Sequence, residues 1–322
     1  MGKGLPARRV TVRSGEVVSS REERLRGWLF CGGGFLWLTV FVVGPLAAIL
    51  AMGFSSRGDY GEIQWQWSFE SYRRLGGVGE LGFDPVYPLI LFRTLGVAMA
   101  TTLGCVVCGM PFAFFIAGFK GHRRTAALMG VMIPFWTNLL IRTYAWQILM
   151  APQGPLTVVA RAFGWVGEGD ALYPGLFAVY LCLVCDFIPF MVLPLYASVE
   201  KVNWALADAA RDLGAGEISV FWHAVLPQIR AGLAAGSLLV FLPALGQFVI
   251  PDLLGGARTV LLGNLVQQQF VQGRDWPFGA AIASVCLALV ALGLALLSRL
   301  QPASEAAQNR IGSEERHEGW VG

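Results

Sequence analysis

Charge is what this sequence has least of. Only 14% of its 322 residues are Asp, Glu, Lys or Arg, against about 25% in a soluble domain. A water-soluble globule is therefore excluded. No stretch of the form GxxxxGK[ST] occurs, so the chain has no phosphate-cradling loop for a nucleotide. Histidine is scarce: His122, His223 and His317 are far apart in sequence, and none is expected to be a ligand. All six cysteines (31, 105, 108, 182, 185 and 286) lie inside apolar runs, which excludes an exported disulfide framework. Two CxxC pairs, Cys105 with Cys108 and Cys182 with Cys185, each share a helix face. A four-thiolate metal site is one reading of them. Small side chains at helix contacts are the expected one, because no His lies nearby and thiolates in lipid are costly. No metal and no catalytic residue is expected.

What remains is oil. Residues 27–56, 94–119, 125–141, 231–251 and 276–298 carry no charge, and 171–199 carry only Asp186. A membrane helix needs about 20 apolar residues. Six spans are therefore expected, near 28–54, 94–118, 125–146, 174–196, 229–250 and 277–298, the third being the shortest. The first run is too long for the 7–15-residue core of a cleaved signal, so it reads as a retained helix. Together 27–298 form an all-α membrane domain between polar tails at 1–26 and 299–322.

Lys and Arg set the orientation. With the N-terminus inside, cytoplasmic segments carry 16 of these residues and the outer loops 7. Both termini are then cytoplasmic, and the net charge of +3 reflects this bias and no affinity for nucleic acid. In the first outer loop, Trp65, Trp67, Phe69, Tyr72 and Leu75 suggest a short segment lying in the lipid interface. Gly232 and Gly236 form a GxxxG, a signal of close helix packing. Pro111, Pro134, Pro189, Pro194 and Pro243 fall inside spans, where neighbours must satisfy the freed backbone.

Residues 203–227 break the oily pattern on the cytoplasmic side. Asn203 is a good N-cap, and 204–213 favour helix. Gly214 suits the left-handed position that ends one. A second helix follows from Gly216, with Glu217 in its first turn and Ile218, Phe221, Trp222 and Val225 at amphipathic spacing. Pro227 suits the start of the fifth span. The loop reads as two short helices joined by a glycine turn. A helix lying on lipid headgroups explains Phe221 and Trp222. It does not explain small Ala209 and Ala210 flanked by Asp208, Arg211 and Asp212, which suit a protein partner.

DAARDLG at 208–214, with Leu226-Pro227 downstream, resembles the EAA loop (EAAxxxG) of ABC importer permeases. The resemblance places Asp208, Ala209, Ala210 and Gly214 in the signature and Leu226 and Pro227 at its end, with Arg211 between. Asp208 departs from the pattern, which has Glu; its carboxylate reaches one methylene less far. PFWTNLLIRTYAW (134–146), PFMVLPLYASVEKV (189–202), PDLLGGARTVLLGN (251–264) and RDWPFGAA (274–281) resemble the permeases of spermidine/putrescine importers, from about residue 28 to 298. The resemblance implies a six-helix, type I importer-like permease of the inner membrane. It implies one half of a pathway, completed by a second homologous permease. It also implies a cassette ATPase dimer that uses ATP and Mg and docks on loop 203–227, and a periplasmic solute-binding protein. The chain itself is expected to bind no cofactor. Other solutes stay open (an opine, an amino acid derivative, another amine), as does pairing with itself. A secondary transporter or channel would leave 203–227 unexplained.

For a polyamine, a chain of ammonium groups, Asp186 is the one acid inside a span. Such acids usually face the bundle interior. It either meets the cargo or makes a polar contact to a kinked backbone or a neighbouring helix. Trp136, Asn138 and Tyr144 lie near the outer end of the third span. Aromatics there hold ammonium groups or anchor the interface. Arg142 repels a cation, so its expected partner is an acid or a headgroup. Gln247 and Asp252 flank the outer end of the fifth span, where Asp252 meets either the cation or the binding protein.

Overall fold

A computed structural model describes residues 32–58, 62–79, 82–167, 169–256 and 259–300. The tail expected at 1–26 and residues 301–322 lie outside this set, as does Cys31. The chain divides after Ala48 into two units. Helix α1 (Gly32–Gly53) is uniformly apolar and long enough to cross a membrane. It contains a five-residue π-helical turn at Thr39–Val43.

From Ile49 on, the chain is a helical bundle. Two short hairpins, β1–β2 (Ser56–Arg57, Ile63–Gln64) and β3–β4 (Val78–Gly79, Gly82–Phe83), flank α2 (Glu70–Leu75). Then come α3 (Val86–Ala117), α4 (His122–Trp136), α5 (Leu139–Met150), α6 (Pro155–Ala162) and α7 (Leu176–Val199). After them run α8 (Trp204–Asp212), α9 (Glu217–Val220), a π turn (Phe221–Val225) and α10 (Leu226–Gly246). Helices α11 (Val249–Leu254), α12 (Leu262–Val271) and α13 (Trp276–Leu300) close the described chain. Among the described residues five helices are long and apolar enough to span a membrane, or six with α4 and α5–α6 taken as one span bent by 89°.

The centre of the bundle is α7, which packs on both α3 and α10. Its Ala178, Val179, Cys182, Leu183 and Met191 are buried among Val97, Ala98 and Cys105 of α3 and Val240, Ala244 and Leu245 of α10. Lipid gives helices no hydrophobic reason to associate, so small residues and close backbones must do it. The GxxxG supplies this: a Cβ on Gly232 would overlap Ser198 Oγ and come within 2.5 Å of the Pro194 carbonyl oxygen. A Cβ on Gly236 would lie 2.8 Å from Met191 Sδ. Cys105 and Cys182 are buried in the same core cluster, where the Cys105 thiol donates to the Val184 carbonyl across α3 and α7 at 3.5 Å.

Two expected spans differ in outline. Helix α3 begins at Val86, before Arg93, because a helix end carrying one long cationic side chain can extend beyond the hydrocarbon. The span expected at 125–146 is broken: α4 ends at Trp136 and α5 restarts at Leu139. Pro134 lies in the last turn of the first piece, and Asn138 caps the second by accepting from Leu140 N at 2.8 Å.

Candidate functional site

The loop of residues 203–227 is built as its residues dictate. Asn203 Oδ1 accepts from Ala205 N at 3.1 Å and starts α8. At the other end Gly214 sits at φ +84°. Its N–H donates to Arg211 O at 2.8 Å and the Ala215 N–H donates to Ala210 O at 3.1 Å. These are the paired bonds of a Schellman turn, which requires a left-handed residue. Arg211 then braces the corner. Its guanidinium donates to Asp208 Oδ1 at 2.8 Å and to both Glu217 oxygens at 2.9 and 3.1 Å.

Those hydrogen bonds and the Arg211 charge hold the Glu217 carboxyl below the usual carboxylate range. A depressed folded value means the brace is complete above the unfolded glutamate value of about 4.3 and is lost as pH falls through the folded value. At neutral pH, Arg211→Gln is therefore expected to speed amide exchange across 208–217. In the unsubstituted protein the same loosening is expected only at pH below the ordinary glutamate range. Hydrogen-exchange mass spectrometry, corrected for the intrinsic rate, checks both.

The loop has an inner and an outer face. Ala207, Val220 and Val225 are buried together, with Ala210, Phe221 and Phe114 packed around them. Leu213, Ile218 and Trp222 face outward, Leu213 at 89% exposure, beside exposed Asp208, Ala209 and Asp212. The amphipathic stripe is thus split, Phe221 and Val225 inward, Ile218 and Trp222 outward. The π turn is wider than an α turn and changes the phase partway along. Leu226 and Pro227 open α10, and the helix runs unbroken from Glu217 to Gly246. A force on the exposed face therefore passes into a membrane-spanning helix without a joint.

The second candidate region is the elbow of the broken span. Arg142 Nη1 donates to the Pro134 carbonyl at 2.7 Å, and Thr137 Oγ1 donates to the same oxygen at 2.6 Å. The Arg142 guanidinium also forms an ion pair with Asp186 of α7. A second pair, Arg124 with Glu200, joins the start of α4 to the far end of α7. Glu200 is exposed and lies fourteen residues from Asp186, about 21 Å along a helix. The hydrocarbon layer is about 30 Å thick, so the two ion pairs are separated by most of that thickness. Non-helical backbone within such a layer occurs only against protein or a water-filled cavity. Trp136 and Tyr144, at 76% and 51% exposure, and exposed Asn138 surround it.

Gln247 and Asp252 sit at the neighbouring break. Gln247 ends α10, its amide oxygen accepting from Phe248 N at 3.1 Å, and Asp252 is exposed in the first turn of α11. Helix α11 packs on α5 and α7. Asp186 stands apart from the exposed candidates, with 5% of its side chain exposed and Arg142 as its partner.

A family model described as binding-protein-dependent transport system inner membrane component matches residues 109–309. The chain belongs to that family. This permease is 40% identical over 264 residues to the spermidine/putrescine transport system permease protein PotB of Escherichia coli K12, an alignment covering 81% of this chain and 92% of that one. PotB of Haemophilus influenzae is 36% identical over 258 residues, covering 80% and 88%. The inner membrane ABC transporter permease protein YdcU of E. coli is 30% identical over 281 residues, covering 83% and 87%. A solved bacterial ABC transporter that imports the acidic polysaccharide alginate has the same fold, with a TM-score of 0.65 at 17% identity over 87% of this chain and 98% of that one. The family match, residues 109–309, runs from within α3 past α13, so it takes in both the loop and the elbow.

One cluster had no warning in the sequence. Asp275, 4% exposed, pairs with Arg57 and with Arg74 at 3.5 and 2.8 Å and caps α13 by accepting from Phe278 N. Arg74 lies over the Phe278 ring at 4.3 Å and donates to Tyr87 Oη. The partners are 218 and 201 residues apart, beyond any local pattern. Together they fasten α2 and its hairpins to the start of α13.

Proposed function

We propose that this permease forms half of the membrane pathway of an ATP-driven importer of polyamines. The 40% identity to a spermidine/putrescine permease across most of both chains carries the reading. Loop 203–227 is the cytoplasmic contact to an ATPase dimer, and both chain termini are cytoplasmic. Its Schellman turn, Arg211 brace and outward Leu213 and Ile218 support a rigid protein-docking surface. ATP and Mg act on that partner, and this chain does no chemistry. A second, homologous permease completes the pathway, and a periplasmic solute-binding protein delivers the cargo.

The elbow at Thr137–Asn138 lines the pathway. Polar, irregular backbone inside the hydrocarbon depth is stable where water reaches it. Aromatic faces hold ammonium groups, which suits Trp136 and Tyr144 to a polyamine. Asn138, Gln247 and Asp252 add acceptors.

Co-purification followed by reconstitution in proteoliposomes tests this. ATP hydrolysis is expected to rise when the binding protein is loaded with spermidine or putrescine, with uptake of the same amine. Stimulation by an opine or an amino acid derivative alone would replace the cargo and leave the permease role standing. Failure to recover any ATPase would remove the coupling role.

A further inference from the structure

We infer that Arg142 and Asp186 are a positioning pair that fixes the elbow of the broken span, and that Asp186 does not hold the cargo. The inference rests on the importer reading above. The two residues contact each other across α5 and α7, with side chains 15% and 5% exposed. Arg142 also closes the end of α4 by donating to the Pro134 carbonyl at 2.7 Å. One guanidinium thus ties three elements, α4, α5 and α7, at the point where the third span turns by 89°.

Electrostatics gives the arrangement its direction. The last carbonyls of α4 are the negative end of its dipole, and Asp186 adds a full negative charge. Left unpaired, two negative groups this close would repel each other. Arg142 neutralises both, and its planar fork serves two acceptors where an ammonium would act as a point charge. A cargo cation that took Asp186 would have to displace a guanidinium and leave it buried without an acid. The exposed groups near the elbow, Trp136, Asn138 and Tyr144, stand free of that cost. Selection of the cation then falls to aromatic faces and amides, while the acid is committed to the scaffold.

A buried ion pair behaves characteristically on mutation. Removing one partner strands the other charge, whereas replacing both together is often tolerated. The test is a double-mutant cycle in the assembled transporter with its ATPase, sister permease and binding protein. Asp186→Asn and Arg142→Gln are each expected to lower the melting temperature of the purified complex. Each is also expected to cut maximal uptake by on the order of 10²-fold, the size of effect that misplacing a functional group by about 1 Å produces. The double variant Arg142→Gln/Asp186→Asn is expected to recover melting temperature, because no charge is stranded, but only part of the uptake rate, because the donation to the Pro134 carbonyl is lost with Arg142. The cargo concentration for half-maximal uptake should stay within about twofold throughout, because no cargo contact is lost. Arg142→Lys should recover the ion pair but only part of the rate, for want of the second donor.

Two results overturn the inference. One is Asp186→Asn with normal melting and a raised half-saturation that grows with cargo charge, unrelieved in the double variant; Asp186 is then a cargo ligand. The other is Asp186→Asn with unchanged melting and unchanged uptake; the pair then positions nothing. The melting cycle needs no cargo, so it reports on the pair even if no polyamine is transported. Absence of polyamine uptake in the unsubstituted transporter overturns the importer reading separately.

Discussion

Gly214→Val is expected to cut import by about 5- to 150-fold while leaving the membrane helices inserted and folded. Gly214 sits at φ +84°, in the left-handed region, where a non-glycine residue costs about 1–3 kcal/mol. A β-branched side chain lies at the unfavourable end of that range. No atom lies within 4 Å of where its Cβ would go, so the effect is conformational strain with no steric clash. A coupling change of about 1–3 kcal/mol corresponds to a 5- to 150-fold effect. The turn sets the angle between α8 and α9, and hence how Leu213 and Ile218 present themselves to a partner. Uptake in proteoliposomes is therefore expected to fall within that range, with residual ATP hydrolysis no longer tied to cargo. Gly214→Asn is the control. Asn visits the left-handed region and should keep most of the uptake. Wild-type uptake by the Val variant would show that the angle of this turn does not couple the two processes.

Gly232→Val acts at the opposite extreme, on assembly. Here the obstacle is backbone: the new Cβ would come within 2.5 Å of Pro194 O and overlap Ser198 Oγ. A serine hydroxyl can rotate, but a carbonyl of the central helix cannot. Overpacking of this kind costs about 1–3 kcal/mol or more, and it strikes the α7–α10 seam at the middle of the bundle. The expected result is a sharp fall in folded protein recovered from membranes and a lower melting temperature for what is recovered. Gly246→Ala, with no atom within 4 Å of its Cβ, should be recovered normally. Equal yields for the two variants would mean that α10 does not rely on close approach to α7.

The contrast between these glycines also bears on what a sequence can reveal. Gly214 was legible because a turn is local: a capped helix, a glycine and a second N-terminus follow one another within a few residues. Gly232 and Gly236 were legible as a spacing, but their partners Pro194, Ser198 and Met191 were not. The uncharged runs disclosed the spans because lipid penalises charge along a continuous stretch. They could not disclose the elbow, since Thr137 and Asn138 are uncharged and interrupt no run. Its signs were Pro134 and the capping Asn138, and both also occur in unbroken spans. Arg142 illustrates the same limit. Its repulsion of a cation pointed to an acid or a headgroup, but that the acid is Asp186 depends on how α5 lies against α7. Asp275 offered less still, because its arginines are drawn from the other end of the chain.

The unbroken helix from Glu217 to Gly246 has a mechanical consequence. It is a rod of 30 residues, about 45 Å long, and its tightest contact with α7 lies near its midpoint, at Gly232. Counted from there, Glu217 is fifteen residues away and Gly246 fourteen, arms of about 22 and 21 Å. A seesaw with equal arms neither amplifies nor attenuates; it reverses. If α10 tilts about its glycine contact, an inward displacement at the docking end becomes an outward displacement of similar size at Gly246, beside Gln247 and the second break. Opposite motion at the two membrane faces then needs no relay of side chains. It follows from where on the rod the small residues lie.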